Sequence, residues 1–517
     1  MSLVIQHARV FDGPHSTAVR IQNGVIAGFD ARVEAGDEVV DARGATLLPG
    51  LIDAHVHLLP GAPHQALSFG VTTELDMFTK PDLLVRLRSS GGADFRSSGI
   101  GATAPGGHPS AMYAPIPYVE DPEAFVEARI GEGADYLKII YDRGSRYPVP
   151  TLDRPTVEAL TKAAHARNLL VTVHTTTCVA ALDAVEAGAD GLQHLPMDEE
   201  LPDELVQALV AHNVFVTPTL ATLENVFQGA GGATMLADPH LSPWLGGFWK
   251  AALTQVPTGW TDIGYDRALG NMRKLIDAGV ELLAGTDVPN PGTVHGASLH
   301  RELELLVQAG LTPAQALRSA TEAPARRFGL TDRGVVAPGK RADLVLVDGD
   351  PTQRITDTRR IKGIWRAGVG YDRQAFPGSE HERELITALK AQVDKVLDAL
   401  PALLKEEEVI REDDDALLGY LRPCPDGTWL PCTVFGYPLG PPSTRDDAVD
   451  LVHERGLAVL AERWQVRDGD EWYACVIQEA TRQKVRVQVV DLGHPRPYAV
   501  LELRGDQLRP GATSPVS

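Results

Sequence analysis

Cysteine is scarce in this sequence: four residues in 517, Cys178, Cys424, Cys432 and Cys475. Their wide, irregular spacings fit neither a disulfide framework nor a zinc ribbon, so reduced, unlinked thiols are expected. No stretch reaches the roughly 18 uncharged apolar residues that a membrane-spanning helix needs. The opening MSLVIQHARVFDG lacks a basic flank followed by a long apolar core, so a cytoplasmic protein is expected. Basic residues are in the minority, 48 against 69 acidic for a net charge of −21. That balance argues against non-specific binding to nucleic acid or to anionic membrane. Gly106 and Gly107 lack the Gly-Lys-Ser/Thr ending of a phosphate loop, and no repeat of solenoid length stands out.

What remains is the composition of a globular enzyme, 44% hydrophobic and 23% charged. Its length calls for one large domain with smaller units beside it. Residues 3–48 read as short strands broken by Gly, Asp and Asn turns, and 335–372 alternates apolar and polar positions again. Strands at both ends of a central region can pair into one composite β-sandwich, from 1–50 and 335–378. Inside it, apolar strand-like runs at 51–57, 70–75, 98–104, 136–141, 170–174, 191–195, 214–218 and 282–287 alternate with helical stretches such as 155–168 and 180–188. Eight strands with crossover helices over residues 51–334 predict an α/β fold, a (β/α)8 TIM barrel. The long segment 220–262 between strands seven and eight is expected to cover the site as a lid.

Beyond residue 378 the character changes. Residues 380–408 carry apolar positions at helical spacing up to a break at Pro401, and EEEVIREDDD at 406–415 reads as a solvated acidic linker. The linker is set at 379–416. Aromatic and β-branched runs from 417 to 517 predict a small β-rich domain. That domain could dock a partner or build a homo-oligomer, with Trp429, Tyr437 and Trp472 as candidates for a binding face; core packing is the commoner role for such aromatics.

The chemistry starts at 49–57, PGLIDAHVH. Side chains on a strand alternate faces, so His55 and His57 point the same way and can hold one divalent ion. Strand ends of a barrel share one rim. His174 ends VTVH, His194 sits in DGLQHL and Asp287 ends LLAGTD. Four imidazoles and a carboxylate suit zinc first, and also manganese, iron or nickel. Lys138, in DYLKIIYD, would be a costly buried cation unless it pairs with Asp135 or Asp142 or its neutral amine takes up carbon dioxide. The carbamate so formed is an anion able to bridge two metals.

Taken together, PGLIDAHVH, the strand-four lysine, the two later histidines, GTD and the closing PGKRADLVLVD resemble the amidohydrolase superfamily of metal-dependent hydrolases. Within it the pattern is similar to the imidazolonepropionase- and prolidase-like branch with a carboxylated lysine, over roughly residues 1–378. The resemblance implies two divalent metal ions: His55, His57 and Asp287 on one, His174 and His194 on the other, with carboxylated Lys138 and a hydroxide between. A shared water then has its pKa lowered from about 15.7 towards neutrality. Asp287 is the expected proton carrier. His108 and Tyr141 are substrate-facing candidates through the same resemblance, and Arg143 could pair with a substrate carboxylate. His295 and His300 have no spacing rule behind them and read as structural.

The expected reaction is hydrolysis of an amide-type carbon–nitrogen bond in a small molecule, a dipeptide or N-acyl amino acid, rather than of an internal peptide bond. The same site could open a lactone or cleave a carboxyl or phosphate ester, and a non-catalytic scaffold is a third reading, weakened because all six ligands are kept.

Overall fold

The computed structural model describes residues 2–15, 17–109, 113, 115–145, 150–255, 265–373, 407–411, 416–424, 427–434, 437–461, 463–468, 471–480, 484–489, 498–502 and 508–510. It divides into two units, Met1–Ser145 with Val149–Val393, and Arg146–Pro148 with Asp394–Ser517.

The first unit opens with β1 (Ser2–Val10), β2 (Thr17–Gln22), β3 (Val25–Gly28), β4 (Glu38–Asp41) and β5 (Ala45–Pro49). Far along the chain come β13 (Leu344–Asp348), β14 (Ile361–Arg366) and β15 (Val369–Gly370). All eight share one sheet, in the order β15-β14-β13-β5-β1-β2-β3 with β4 on β1. The join is the antiparallel pair β5 and β13, from Leu344 opposite Pro49 to Asp348 opposite Ala45. Apolar residues from both segments, among them Ile5, Leu47, Leu344 and Trp365, form its buried face.

Between these segments lie β6 (Leu51–Val56), β7 (Val71–Asp76), β8 (Asp94–Ser97), β9 (Leu137–Ile140), β10 (Val171–His174), β11 (Gly191–Gln193) and β12 (Phe215–Thr217). They make two parallel sheets, β6-β7-β8 and β12-β11-β10-β9. β6, β7 and β9 are buried at every position, as expected of parallel strands covered on both faces. Single parallel bridges continue the pairing: Ala102 with Ile139, Val216 with Leu282 and Val56 with Val288. The connecting helices carry their own signals. In Arg154–His165 the Asp153 carboxylate accepts from Thr156 N, while Val157, Leu160, Thr161 and Ala164 fill the inward face. Such a cap stabilises a helix by about 1 kcal/mol.

Two expectations need adjusting. The third strand runs over Asp94–Ser97, ahead of the 98–104 run, of which only Ala102 pairs. Asp94 and Arg96 are half-buried against fully buried Phe95 and Ser97, the alternation that the Gly-rich 98–107 lacks. The 282–287 run lies between β12 and β6 without a continuous ladder: Leu282 bridges Val216, Leu283 N donates to Val216 O, and Ala284 O and His55 O accept from Ala54 N and Asp287 N. The segment expected as a lid is helical and packed. Helices Leu220–Gln228, Gly231–Ala237 and Gly247–Leu253 bury Met235, Leu241, Leu245, Trp249 and Leu253 against Phe69, Val294 and Ala297. Residues 256–264 lie outside the described residues.

In the second unit, β16 (Glu407–Arg411), β17 (Ala416–Pro423) and β18 (Trp429–Cys432) form one antiparallel sheet. Strand β16 replaces part of the expected acidic linker: Val409 is buried while the acids at 407 and 408 stay outward. Helix Arg445–Arg455 packs on this sheet, and a five-stranded sheet follows from 463 to 510. Trp464 and the partly buried Trp429 and Tyr437 belong to its core, a packing role. The helix expected over 380–408 falls almost entirely outside the described residues.

Candidate metal centre

β6 brings His55 and, one residue past its end, His57 to Asp287. His57 Nε2 lies 3.1 Å and His55 Nε2 3.3 Å from Asp287 Oδ1. β11 delivers His194, whose Nδ1 is 3.8 Å from Oδ2 of the same carboxylate. One ligand atom each from His55, His194 and Asp287 lies within 4.8 Å of the others. His174, at the end of β10, stacks edge-on against His194 with ring centroids 4.5 Å apart. His108 follows at 5.1 Å from His174, on the exposed side.

The second layer sets which ring nitrogen is free. His55 Nδ1 is 2.8 Å from Gln193 Oε1; since an amide oxygen only accepts, Nδ1 carries the proton and Nε2 keeps its lone pair. Asp53 ties two loops together, accepting from His55 N and Thr286 N with one oxygen and from Thr286 Oγ1 at 2.7 Å with the other. Burial pushes its carboxyl up to about 8. Asp287 N donates to His55 O at 2.8 Å. Asp287 and His194 both have left-handed backbones, φ 57° and 73°, a strained state that folds tolerate mainly at functional positions.

Lys138 is 2% exposed, and its Nζ has no hydrogen-bond partner. Burial lowers its pKa to about 7, and its charge in turn bears on His55, His174 and His194. Burial and then Lys138 bring His55 down to about 4. His174 and His194 are also depressed, by burial first. Burial opposes ionisation of Asp287, but His55 and His194 hold its carboxyl well below the usual range. Depressed in this way, His55, His174 and His194 favour the neutral form that a metal ligand needs, beside an ionised Asp287. His55 Nε2 and Lys138 Nζ are buried polar atoms with no hydrogen bond to satisfy them. Such orphans are costly unless something fills the space between, and a divalent ion fits the His55, His194 and Asp287 donors.

Two sequence candidates, Tyr141 and Arg143, are engaged by Asp183, although Tyr141 N also donates to His174 O. The Tyr141 hydroxyl donates to Asp183 Oδ2 at 2.7 Å, and Arg143 pairs with the same oxygen at 2.9 Å. Arg154 takes the other oxygen at 3.0 Å. Tyr141 is fully buried in the main apolar core. Both residues are thereby joined to helix Cys178–Glu186, a partner some forty residues away in sequence with no local signal. Beside them Asp142 approaches His174, Oδ2 to Nε2 at 3.9 Å, while Thr176 donates to it from N and Oγ1. His295 bonds Glu74 at 2.6 Å, and His300 bonds Thr358 and Phe69 O.

Sequence reasoning missed Asp53, Gln193 and Thr219, which touch the ligand-bearing elements. Asp53 stands two residues before His55 on β6, and Gln193 immediately precedes His194, so their positions alone could have flagged them.

The imidazolonepropionase of Streptomyces griseus subsp. griseus is 25% identical over 392 residues, 66% of this chain and 89% of that protein. A Xaa-Pro dipeptidase, solved with methionine bound in its active site, superposes with a TM-score of 0.58 at 21% identity, covering 72% of this chain and all of that one. Phenylurea hydrolase B gives 0.57 at 24% identity, covering 73% and 98%. The amidohydrolase family matches residues 46–371, the span that carries every residue of the centre. By that match the chain belongs to the amidohydrolase family and is a hydrolase.

Proposed function

We propose that this protein is a binuclear metal-dependent amidohydrolase that cleaves a carbon–nitrogen bond other than a peptide bond within a chain, in a small molecule such as a dipeptide or N-acyl amino acid. The observation that carries this reading is the convergence of His55, His57 and His194 on Asp287 beside a buried, unpartnered Lys138. The parallel pairings, with bridges from Ala102 to Ile139, Val216 to Leu282 and Val56 to Val288, support a closed (β/α)8 barrel with the centre at its strand ends. The names of the relatives, an imidazolonepropionase and a Xaa-Pro dipeptidase, support the substrate class.

His55, His57 and Asp287 would hold one ion and His174 and His194 the other, with Lys138 between. Two divalent ions, zinc by ligand type, supply Lewis-acid polarisation of a carbonyl and a water acidified towards neutrality. Lys138 prepares the bridge: with its pKa near 7, much of the amine is neutral at pH 7. It adds to carbon dioxide and releases one proton, leaving a carbamate whose charge suits a site between cations. Asp287 moves the proton of the reaction. Its Oδ1 faces His55 and His57, so Oδ2 is the freer oxygen to take a proton from the attacking water and pass it to the departing nitrogen. His108, on the exposed side of His174, would meet a substrate carbonyl.

Elemental analysis of purified wild type and Lys138→Ala, with ¹³C NMR after equilibration with labelled bicarbonate, tests the reading. Two ions per chain and a carbamate resonance in the wild type, both reduced in the variant, are expected. A single ion and no carbamate would replace the binuclear mechanism with a mononuclear one.

A further inference from the structure

β12 ends at Thr217, and Pro218 and Thr219 lead into helix Leu220–Gln228. Thr219 is the N-cap of that helix, where a threonine hydroxyl ordinarily accepts from an amide of the first turn and stabilises the helix by about 1 kcal/mol. Here it makes no such bond. Its backbone is left-handed, φ 54° and ψ 45°, a conformation that a β-branched residue adopts only at a cost. The residue is fully buried. Its hydroxyl lies 2.9 Å from His194 Nδ1.

The cap has been handed to another element. Glu302, on helix Ala297–Ala309, accepts the amide of Ala221 at 2.6 Å, the donor that Thr219 leaves open. Glu224 of helix Leu220–Gln228 pairs with Arg301 through two buried contacts, and Thr222 Oγ1 donates to Thr286 O at 2.8 Å, next to Asp287. The helix is thus rooted from outside, and its first residue is released from capping while held in a strained backbone. Strain of this kind persists where surrounding structure over-determines it.

We infer that Thr219 is a positioning residue for the metal centre: its hydroxyl accepts from His194 Nδ1–H, which fixes the tautomer and leaves the Nε2 lone pair for a cation. The inference rests on the metal-dependent reading above. Partners of this kind, one bond behind a ligand, typically change metal affinity 10- to 100-fold when removed.

The test is zinc binding to the full-length, chelator-stripped protein, read by competition with a metal indicator, together with the Tm of the metal-free form. Thr219→Gly removes the hydroxyl but suits a left-handed φ. Its zinc affinity should fall about 10- to 100-fold while the metal-free Tm stays at or above wild type. Thr219→Ser keeps the hydroxyl and should bind zinc within about threefold of wild type, whereas Thr219→Ala should bind like Thr219→Gly; this pair decides the matter if the glycine variant does not fold. Wild-type affinity in the glycine or alanine variant overturns the positioning role alone. A wild type that binds no zinc, manganese, iron or nickel overturns the metal reading and this inference with it.

Discussion

Two kinds of element meet at Asp287, and they are built on opposite principles. The strand ends that carry His55, His57, Lys138, His174 and His194 leave side chains incompletely satisfied: His55 Nε2 and Lys138 Nζ have no hydrogen-bond partner although both are buried. The helical segment after β12 saturates its contacts. Asn225 alone donates to Ala221 O and Gly292 O and accepts from Gly232 N, and Arg301 pairs with both Glu224 and Glu304. Gly292 can pass against Asn225 only because it has no side chain; a Cβ there would sit 2.5 Å from the Asn225 amide carbon. At the strand ends the open groups are ones that chemistry needs with free lone pairs, His55 Nε2 and Lys138 Nζ, and the neighbouring helices add buried contacts that help to tolerate them.

The largest break in this comparison is Asp287→Asn. The amide keeps the size of the carboxylate but loses its charge and its capacity to carry a proton. With a substrate found by screening dipeptides and N-acyl amino acids, kcat should drop about 100- to 10,000-fold. The metal-free Tm should change little, since the change relieves a buried charge while sparing the backbone bond from Asp287 N to His55 O. A variant that kept its kcat would remove Asp287 from proton transfer.

Much of the strand-end half was legible in the sequence, because it is local. The spacing of His55 and His57 follows from strand alternation, and each later candidate closes a recognisable apolar run. The supporting half is written in pairs far apart. Glu302 caps a helix that begins eighty residues earlier, and Asp183 claims both Tyr141 and Arg143. Thr219 sits in the unremarkable string TPTL. The β16 strand was hidden for a different reason: its charges read as a solvated run, while its structure turns on one buried residue, Val409.

A smaller effect sharpens the comparison at the joint between the halves. Burial pushes Glu302 up to about 8 from its ordinary 4.5, against the hydrogen bonds from Ala221 and Leu220 amides. The folded chain therefore holds a proton that the unfolded chain releases above about pH 4.5. Raising the pH then favours the unfolded state. The contribution is fully present below 4.5, declines through neutrality and is lost above about pH 8, with a slope of at most about 1.4 kcal/mol per pH unit for one proton. Glu302→Gln cannot titrate, so denaturant melts should show the variant gaining on wild type between pH 5 and pH 9. Parallel pH profiles would place the proton elsewhere.

The smallest change decides on which side of the comparison Tyr141 falls. As a substrate contact its hydroxyl would be needed for binding; as packing it serves Asp183, which also holds Arg143 and Arg154. Its complete burial and its place in the main core favour the second role. Tyr141→Phe removes only the oxygen, leaving Asp183 with two guanidinium partners. The expected cost is about 1 kcal/mol of stability, seen as a small fall in the denaturation midpoint, with KM unchanged. Because Asp183 stays ion-paired, the loss should lie at the low end of what an unmade buried hydrogen bond costs. A tenfold rise in KM at unchanged stability would return the residue to the substrate and make the Asp183 contact a resting position of the free enzyme.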